Sequence, residues 1–125
     1  LLITHGDSGS CRPATAAHMM GPAPLRAASL AVPEDADPER LRREACRVVG
    51  ELDEGDGVLV LTDIFGGTPS NVAHSVHDRL RVHTVSGVNL PMLVRVLNYP
   101  GLGLADLAEK AVSGGRDGVL DGGEF

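Results

Sequence analysis

The chain has 125 residues, of which 42% are hydrophobic and 2% aromatic, and its 17 acidic and 11 basic side chains give a formal net charge of -6 at pH 7. This length suits a domain that buries one core without disulfides or metals, so we expect residues 1–125 to form a single domain. The acidic balance and the scarcity of aromatic rings argue against a nucleic-acid partner, because such binding relies on cations and stacking.

The sequence also bears on where the protein works. We find no apolar run that could cross a bilayer and no leader of the signal-peptide type, so we expect a cytoplasmic protein. Cys11 and Cys46 lie far apart without CxxC spacing, which argues against a disulfide framework and a zinc site and fits reduced thiols. Because Leu1 already lies in a strand-like run, we expect a few residues, including the initiator Met, to precede it.

The predicted elements alternate between strands and helices. In chain order they are a strand at 1–4, a helix within 11–20, a strand at 27–32, a helix from 38 that ends at Gly55, a strand at 58–62, a helix at 69–79, a strand at 82–85 and helices at 92–98 and 104–112. The clearest helix has Asp37 as N-cap and Pro38 at its first position, followed by apolar residues at helical spacing. This alternation predicts an α/β fold, a three-layer sandwich with a mainly parallel central sheet flanked by helices.

Polar residues follow several of the predicted strands. His5 and Gly6 follow the first strand, Asp63 follows the third, and a turn at 86–89 follows the fourth. Ligands of open parallel sheets bind beyond the carboxyl ends of the strands. A carboxylate beside an imidazole fixes its tautomer, leaves the far nitrogen's lone pair for attack and stabilises the ring when it becomes positive. We therefore expect His5 and Asp63 to be neighbours at a site that holds a phosphoryl group.

The loop after the third strand adds a feature suited to anions. Gly66 and Gly67 allow backbone conformations closed to other residues, and Thr68 is a good N-cap before Pro69. N–H groups at that helix start would face an anion at the sheet edge. Taken alone, the loop equally fits a well-capped helix, and Asp63 equally fits a turn former.

Three separated motifs together resemble the mannose-type (mannose/fructose) enzyme IIA family of the bacterial sugar phosphotransferase system (PTS). They are Thr4-His5-Gly6, the block at 59–71 and the block at 86–93, in matching order and spacing from residue 1 to about 112. The resemblance implies a phosphotransferase that accepts a phosphoryl group from phospho-HPr and passes it to a IIB protein or domain. It further implies a homodimer that contacts the membrane only indirectly, through a permease. No metal or organic cofactor is required for this transfer.

The resemblance also assigns roles to single residues. His5 would be the phosphorylated histidine, and Asp63 would be the carboxylate that orients it. The remaining assignments are Gly66, Gly67 and Thr68 as phosphate-binding residues and Phe65 and Asn89 as pocket-shaping residues.

Two segments depart from the family pattern. Residues 7–13, DSGSCRP, are polar and break helices where the family has a helix rich in Leu and Ala. Residues 113–125 are rich in glycine, so we expect a flexible tail in which only Gly118 to Leu120 could form a strand exchanged across a dimer.

Several alternatives stay open at this point. The domain could be a regulatory interaction module controlled by His5 phosphorylation in a PTS without a permease, or the IIA-like phosphocarrier subunit of a dihydroxyacetone kinase. A receiver domain phosphorylated on Asp63 would need acids at the end of the first strand, where this chain has Thr4 and His5. His74 and His77 have a spacing that can bind metal, but we see no third ligand nearby and expect no metal site.

Overall fold

A computed structural model of the chain describes residues 1–6, 25–77 and 81–124. The elements within these ranges are the strands β1 (Leu2–His5), β2 (Ser29–Val32), β3 (Val58–Thr62) and β4 (Val82–Ser86), the helices α1 (Pro38–Leu52), α2 (Thr68–His77), α3 (Leu90–Leu97) and α4 (Leu104–Asp117), and a 3-10 turn at Gly122–Glu124. The helix predicted within 11–20 lies outside the described residues. No helix in the described part of the chain is both long and apolar enough to span a membrane.

The strands form one sheet in the order β2-β1-β3-β4, with every neighbouring pair parallel. Leu2 of β1 lies opposite Ser29 of β2 and Leu61 of β3, and Thr62 of β3 lies opposite Ser86 of β4. Parallel pairing brings the carboxyl ends of all strands to one side of the sheet, which we call the carboxyl edge. The opposite side, where the strands begin, is the amino edge.

Helices cover both faces of the sheet. Along β3, Val58 and Val60 belong to a core that includes buried residues of α1 and α2, whereas Leu59 and Leu61 belong to a second core with buried residues of α3 and α4. Successive side chains of a strand point to opposite faces, so the two cores lie on either side of the sheet. The predicted three-layer α/β sandwich with a parallel central sheet is confirmed.

Local signals correctly placed the start of α1 but not its end. The Asp37 side chain accepts a hydrogen bond from the N–H of Glu39, and Pro38 begins the helix as predicted. The helix ends at Leu52 rather than at Gly55, because the next residue, Asp53, is extended. The carboxylate of Asp53 then accepts the N–H groups of Gly55 and Gly57 and shapes the turn into β3.

The prediction that the last helix ends at 112 was wrong. Helix α4 continues to Asp117, and Gly114 and Gly115 are buried within it. A Cβ atom on Gly114 would lie 2.7 Å from Cβ of Arg95, and one on Gly115 would lie 2.8 Å from Cε of Met92. These glycines let α4 approach α3 closely, so residues 113–117 belong to the packed domain. Beyond them, residues 118–120 form no strand within this chain.

Candidate functional site

His5 and Asp63 meet at the carboxyl edge, as the sequence predicts. Nδ1 of His5 lies 3.0 Å from Oδ2 of Asp63, and the backbone N–H of His5 donates to the same oxygen over 3.0 Å. His5 ends β1 and Asp63 directly follows the adjacent strand β3, so the backbone itself sets their spacing. The His5 side chain is 50% exposed and that of Asp63 is 17% exposed, which leaves the ring accessible above a largely covered carboxylate.

The environment of Asp63 favours its ionised form. Partial burial acts to raise the pKa of Asp63, but hydrogen bonds from the N–H and ring of His5 and from the N–H of Ile64 outweigh it, and the pKa lies below its usual value. Both carboxylate oxygens are thus engaged, Oδ2 by His5 and Oδ1 by Ile64. A fixed anion at this point orients the imidazole and stabilises a positive ring.

Gly66 and Gly67 are required in the loop for different structural reasons. Gly66 has φ +85°, a left-handed conformation, and a Cβ atom there would meet nothing within 4 Å. Gly67 packs against the histidine, since a Cβ atom on it would lie 3.0 Å from Cε1 and 3.5 Å from Nε2 of His5. Gly66 therefore serves the turn, and Gly67 leaves space beside the Nε2 edge of the ring.

The other loop residues predicted for the site are exposed. Thr68 is the first residue of α2 and lies at the surface, directly after the glycine that packs on His5. The Phe65 side chain is 78% exposed and makes an edge contact with the ring of His74, with ring centroids 6.3 Å apart. Ile64 is 62% exposed. The loop whose Gly67 packs on His5 thus exposes two large apolar side chains, a feature that the sequence analysis did not single out.

Asn89 lies at the carboxyl edge, where its side chain binds the backbone of α3 and α4. Its side chain accepts the N–H of Met92 over 3.0 Å, capping α3, and donates to the carbonyl of Gly115 over 3.0 Å. The preceding turn lies against β3, because the N–H of Val88 donates to the carbonyl of Thr62 over 3.0 Å. Helix α3 therefore begins at Leu90, earlier than the predicted Met92. The proposed pocket-shaping role of Asn89 stays a prediction.

This arrangement supports nucleophilic chemistry at the histidine. Since the Asp63 carboxylate accepts a hydrogen bond, the proton of a neutral His5 ring resides on Nδ1 and the lone pair on Nε2. Nε2 borders the space that Gly67 leaves. Within the described ranges, no group of three or more His, Cys, Asp or Glu side chains could hold a metal ion.

Comparison with known proteins gives the family of the chain. A family model described as "PTS system fructose IIA component" matches residues 1–111. The chain is 39% identical over 74 residues to the mannose-specific EIIAB component of Escherichia coli strain K12, a match that covers 57% of this chain and 23% of that protein. It is 39% identical over 71 residues to the fructose-specific EIIA component of Bacillus subtilis strain 168, covering 55% and 49% respectively. The matches thus span less than half the length of these relatives.

Solved structures share the fold. The mannose/sorbose-specific IIA subunit from Enterococcus faecalis superposes with a TM-score of 0.85 at 24% identity, covering 96% of this chain and 90% of that one. The PTS IIA protein associated with the fucose utilization operon of Streptococcus pneumoniae gives a TM-score of 0.78 at 24% identity, covering 98% and 91%. At such identities the likeness concerns the fold alone.

The family match spans the features on which the sequence resemblance rested. It includes His5, Asp63 and the loop between β3 and α2, together with all strands of the sheet. The resemblance drawn from the motifs is confirmed. The chain belongs to the PTS fructose IIA component family, whose members are phosphotransfer components of the sugar PTS.

Proposed function

We propose that the protein is a phosphohistidine carrier that accepts a phosphoryl group from phospho-HPr on Nε2 of His5 and delivers it to a IIB protein or domain. The observation that carries the proposal is the 3.0 Å contact between Nδ1 of His5 and Oδ2 of Asp63. It supports the proposal because a neutral ring that donates from Nδ1 keeps its lone pair on Nε2, the nitrogen beside Gly67.

In the proposed step the Nε2 lone pair forms a bond to phosphorus while the N–P bond of the donor histidine breaks. The electron pair of that bond stays on the donor nitrogen, and the His5 proton remains on Nδ1, so the phosphorylated ring is stabilised by the Asp63 carboxylate. A loose phosphoryl-transfer transition state asks for positioning and charge stabilisation more than covalent help. Delivery to the acceptor is the same exchange in the reverse sense.

The start of α2 is suited to the phosphoryl oxygens. The N–H groups of a helix's first turn lack intrahelical partners and carry partial positive charge. This turn begins at Gly67, which packs on His5, and at Thr68, the first residue of α2. We assign the phosphoryl oxygens to these N–H groups and to the Thr68 hydroxyl, with Gly66 setting the turn that aims them.

The acceptor and the assembly are further parts of the proposal. Relatives named as mannose-specific EIIAB and fructose-specific EIIA components favour a IIB acceptor in sugar transport over a regulator or a dihydroxyacetone kinase. A cytoplasmic location would follow from exchange with HPr. The expected homodimer stays a prediction, which sedimentation velocity of the purified chain tests.

Intact-mass measurement tests the proposal directly. The chain is incubated with phosphoenolpyruvate, enzyme I and HPr from Bacillus subtilis, alongside the variants His5→Ala and His74→Ala. We expect one acid-labile phosphoryl group on the wild type and on His74→Ala, and none on His5→Ala. His74 is the matched control because it lies in the same region, against Phe65. Absence of labelling in the folded wild type, with the Bacillus fructose-specific EIIA labelled in parallel, would overturn the proposal.

A further inference from the structure

Thr62 and Ser86 form a hydrogen bond at the carboxyl edge that the proposed reaction does not use directly. Thr62 is the last residue of β3 and is fully buried, and its Oγ1 atom lies 2.7 Å from Oγ of Ser86, the last residue of β4. The two residues also lie opposite each other in the register of the sheet. Buried hydroxyl groups are unfavourable unless they are paired, so this bond ties the end of β3 to the end of β4.

The backbone of Thr62 is attached to the turn that follows β4. Its carbonyl oxygen accepts the N–H group of Gly87 over 2.9 Å and that of Val88 over 3.0 Å. Gly87 has φ +89°, a left-handed conformation that lets two successive N–H groups point to one oxygen. This carbonyl belongs to the peptide group that joins Thr62 to Asp63. The end of β4 and its turn therefore hold the point of the backbone from which Asp63 starts.

The sheet gives less support to Asp63 from the side of β1. The pairing of β1 with β3 covers two residues of each strand and stops at Ile3 and Thr62. One residue further, β3 is linked to β1 by the Asp63 carboxylate, which accepts the backbone N–H of His5 and contacts its ring, each over 3.0 Å. The position of the carboxylate against the ring therefore depends on how Thr62 is held from the side of β4.

Thr84 provides a comparison within the same strand. It lies two residues before Ser86, so its side chain points to the same face of the sheet. Its buried Oγ1 atom has no hydrogen-bond partner in the part of the chain that the structure describes. The pairing of hydroxyl groups on this face is thus confined to the level directly before Asp63, where it can act on the site.

We propose that Thr62 and Ser86 are positioning residues for the phosphoryl transfer and that they act through Asp63. This rests on the proposed function, because it takes Nε2 of His5 as the nucleophile. With the hydroxyl pair in place, Asp63 stays where it accepts the proton on Nδ1, and the neutral ring keeps its lone pair on Nε2. Without the pair, the end of β3 moves relative to β4 and the contact with Nδ1 loosens. The proton then resides on either nitrogen, and only one of the two tautomers can attack phosphorus.

Phosphorylation kinetics with phospho-HPr of Bacillus subtilis test this role. Thr62→Val keeps the shape of the side chain and removes the hydroxyl, whereas Thr62→Ser keeps the hydroxyl. Thr84→Val is the matched control, because it removes an unpaired hydroxyl from the same face. We expect Thr62→Val to lower the maximal rate about 3- to 10-fold, less than loss of an orienting carboxylate itself. Thr62→Ser and Thr84→Val should stay within about 2-fold of the wild type.

The same substitution in the background of Asp63→Asn shows whether the hydroxyl acts through the carboxylate. A residue that acts through another loses its effect when the other is replaced, and the two changes are then not additive. We expect Thr62→Val to change the rate of Asp63→Asn by less than about 2-fold. An equal loss of rate in both backgrounds would show that the hydroxyl acts elsewhere and would overturn the proposal.

Nuclear magnetic resonance of the His5 ring nitrogens gives a readout that a change in stability alone does not move. At a pH where the imidazole is neutral, these signals report the share of rings that carry the proton on Nδ1. We expect this share to fall in Thr62→Val and in Ser86→Ala and to stay at the wild-type value in Thr84→Val.

The outcomes separate this inference from the proposed function. A phosphorylated wild type, together with a Thr62→Val variant of unchanged rate and unchanged tautomer, overturns the positioning role alone. A wild type that is not phosphorylated counts against the proposed function, and the tautomer measurement still decides whether the hydroxyl pair positions Asp63 against His5. Circular dichroism checks each fold. Ser86→Ala, at a residue that is only half-buried, replaces Thr62→Val if that variant does not fold.

Discussion

Asp63 contributes both to the proposed chemistry at His5 and to the stability of the fold. Its carboxylate binds the backbone of His5 and Ile64 and the imidazole ring at once. Replacement by Asn keeps the shape but removes the negative charge and puts an amide where one acceptor oxygen stood. Loss of the carboxylate that orients a metal-bound histidine costs about 10- to 100-fold in activity, and we take the same range for this imidazole. We therefore expect Asp63→Asn to slow His5 phosphorylation at pH 7 by about that factor, measured by rapid quench and intact mass.

The lowered pKa of Asp63 also makes the stability of the fold depend on pH. The pKa of Asp63 is lowered in the folded protein, so the unfolded chain binds the proton more tightly and stability rises with pH in this range. The contribution of the carboxylate is present above its unfolded pKa of about 3.9 and is lost as pH falls through the lower folded value. Urea unfolding should show a larger difference between wild type and Asp63→Asn at pH 6 than at pH 2.5. A difference that does not change with pH would contradict this account.

The paired loop glycines give a second residue-scale prediction. Gly67→Ala places a methyl group 3.0 Å from Cε1 of His5, where it displaces the ring and narrows the space at Nε2. We expect it to lower the phosphorylation rate at least about 10-fold with little change in unfolding free energy, since a shift of about 1.4 kcal/mol in a barrier is tenfold in rate.

Gly66→Ala is the matched control for that variant. Its Cβ atom meets nothing within 4 Å, but the backbone φ of +85° is unfavourable for alanine. We expect it to destabilise the fold by about 1–2 kcal/mol in urea unfolding and to leave the ring's immediate surroundings intact. Equal effects of the two substitutions on rate and on stability would contradict the conclusion that Gly66 sets the turn and Gly67 leaves space beside His5.

At the level of elements, the contact between α3 and α4 depends on residues without side chains. Gly114→Ala should destabilise the protein by about 1–3 kcal/mol, because its Cβ atom would lie 2.7 Å from Cβ of Arg95, an atom that cannot rotate away. Gly50→Ala in α1 is the control, since its Cβ atom meets nothing and alanine favours a helix by about 1 kcal/mol. Chemical denaturation of both variants should give shifts of opposite sign, and a stabilising Gly114→Ala would refute the packing role.

The contact at Gly114 shows which parts of the fold could be predicted from the sequence and which could not. Local patterns predicted the strand at 58–62 and the start of α1, and the structure agrees. The geometry of parallel sheets predicted that His5 lies beside Asp63, and the two side chains are in contact. The true end of α4 depends on a neighbour 19 residues away, Arg95 against Gly114, and local composition there reads as a flexible tail. Packing across elements overrides propensity at such positions.

Two smaller differences have local causes. The N-cap role of Asn89 was available from the sequence, as an Asn before Leu90-Pro91, but the turn around it was interpreted as a separate connection. The contact of Gly67 with the ring could not be predicted, because it requires the relative heights of two loops at the carboxyl edge. A motif indicates which residues lie near one another, and the structure shows which of their atoms are in contact.

At the scale of the whole molecule, the net charge of -6 should affect the proposed encounter with phospho-HPr, because a basic donor surface would be attracted to this chain. Opposite charges steer association and are screened over about 10 Å at 0.1 M ionic strength. We expect the second-order rate of transfer from phospho-HPr to fall several-fold between about 20 mM and 500 mM salt, while the maximal rate at saturating donor stays constant. Stopped-flow measurement with a phosphate-free salt gives both quantities. A salt-independent rate would show that charge plays no part in the encounter.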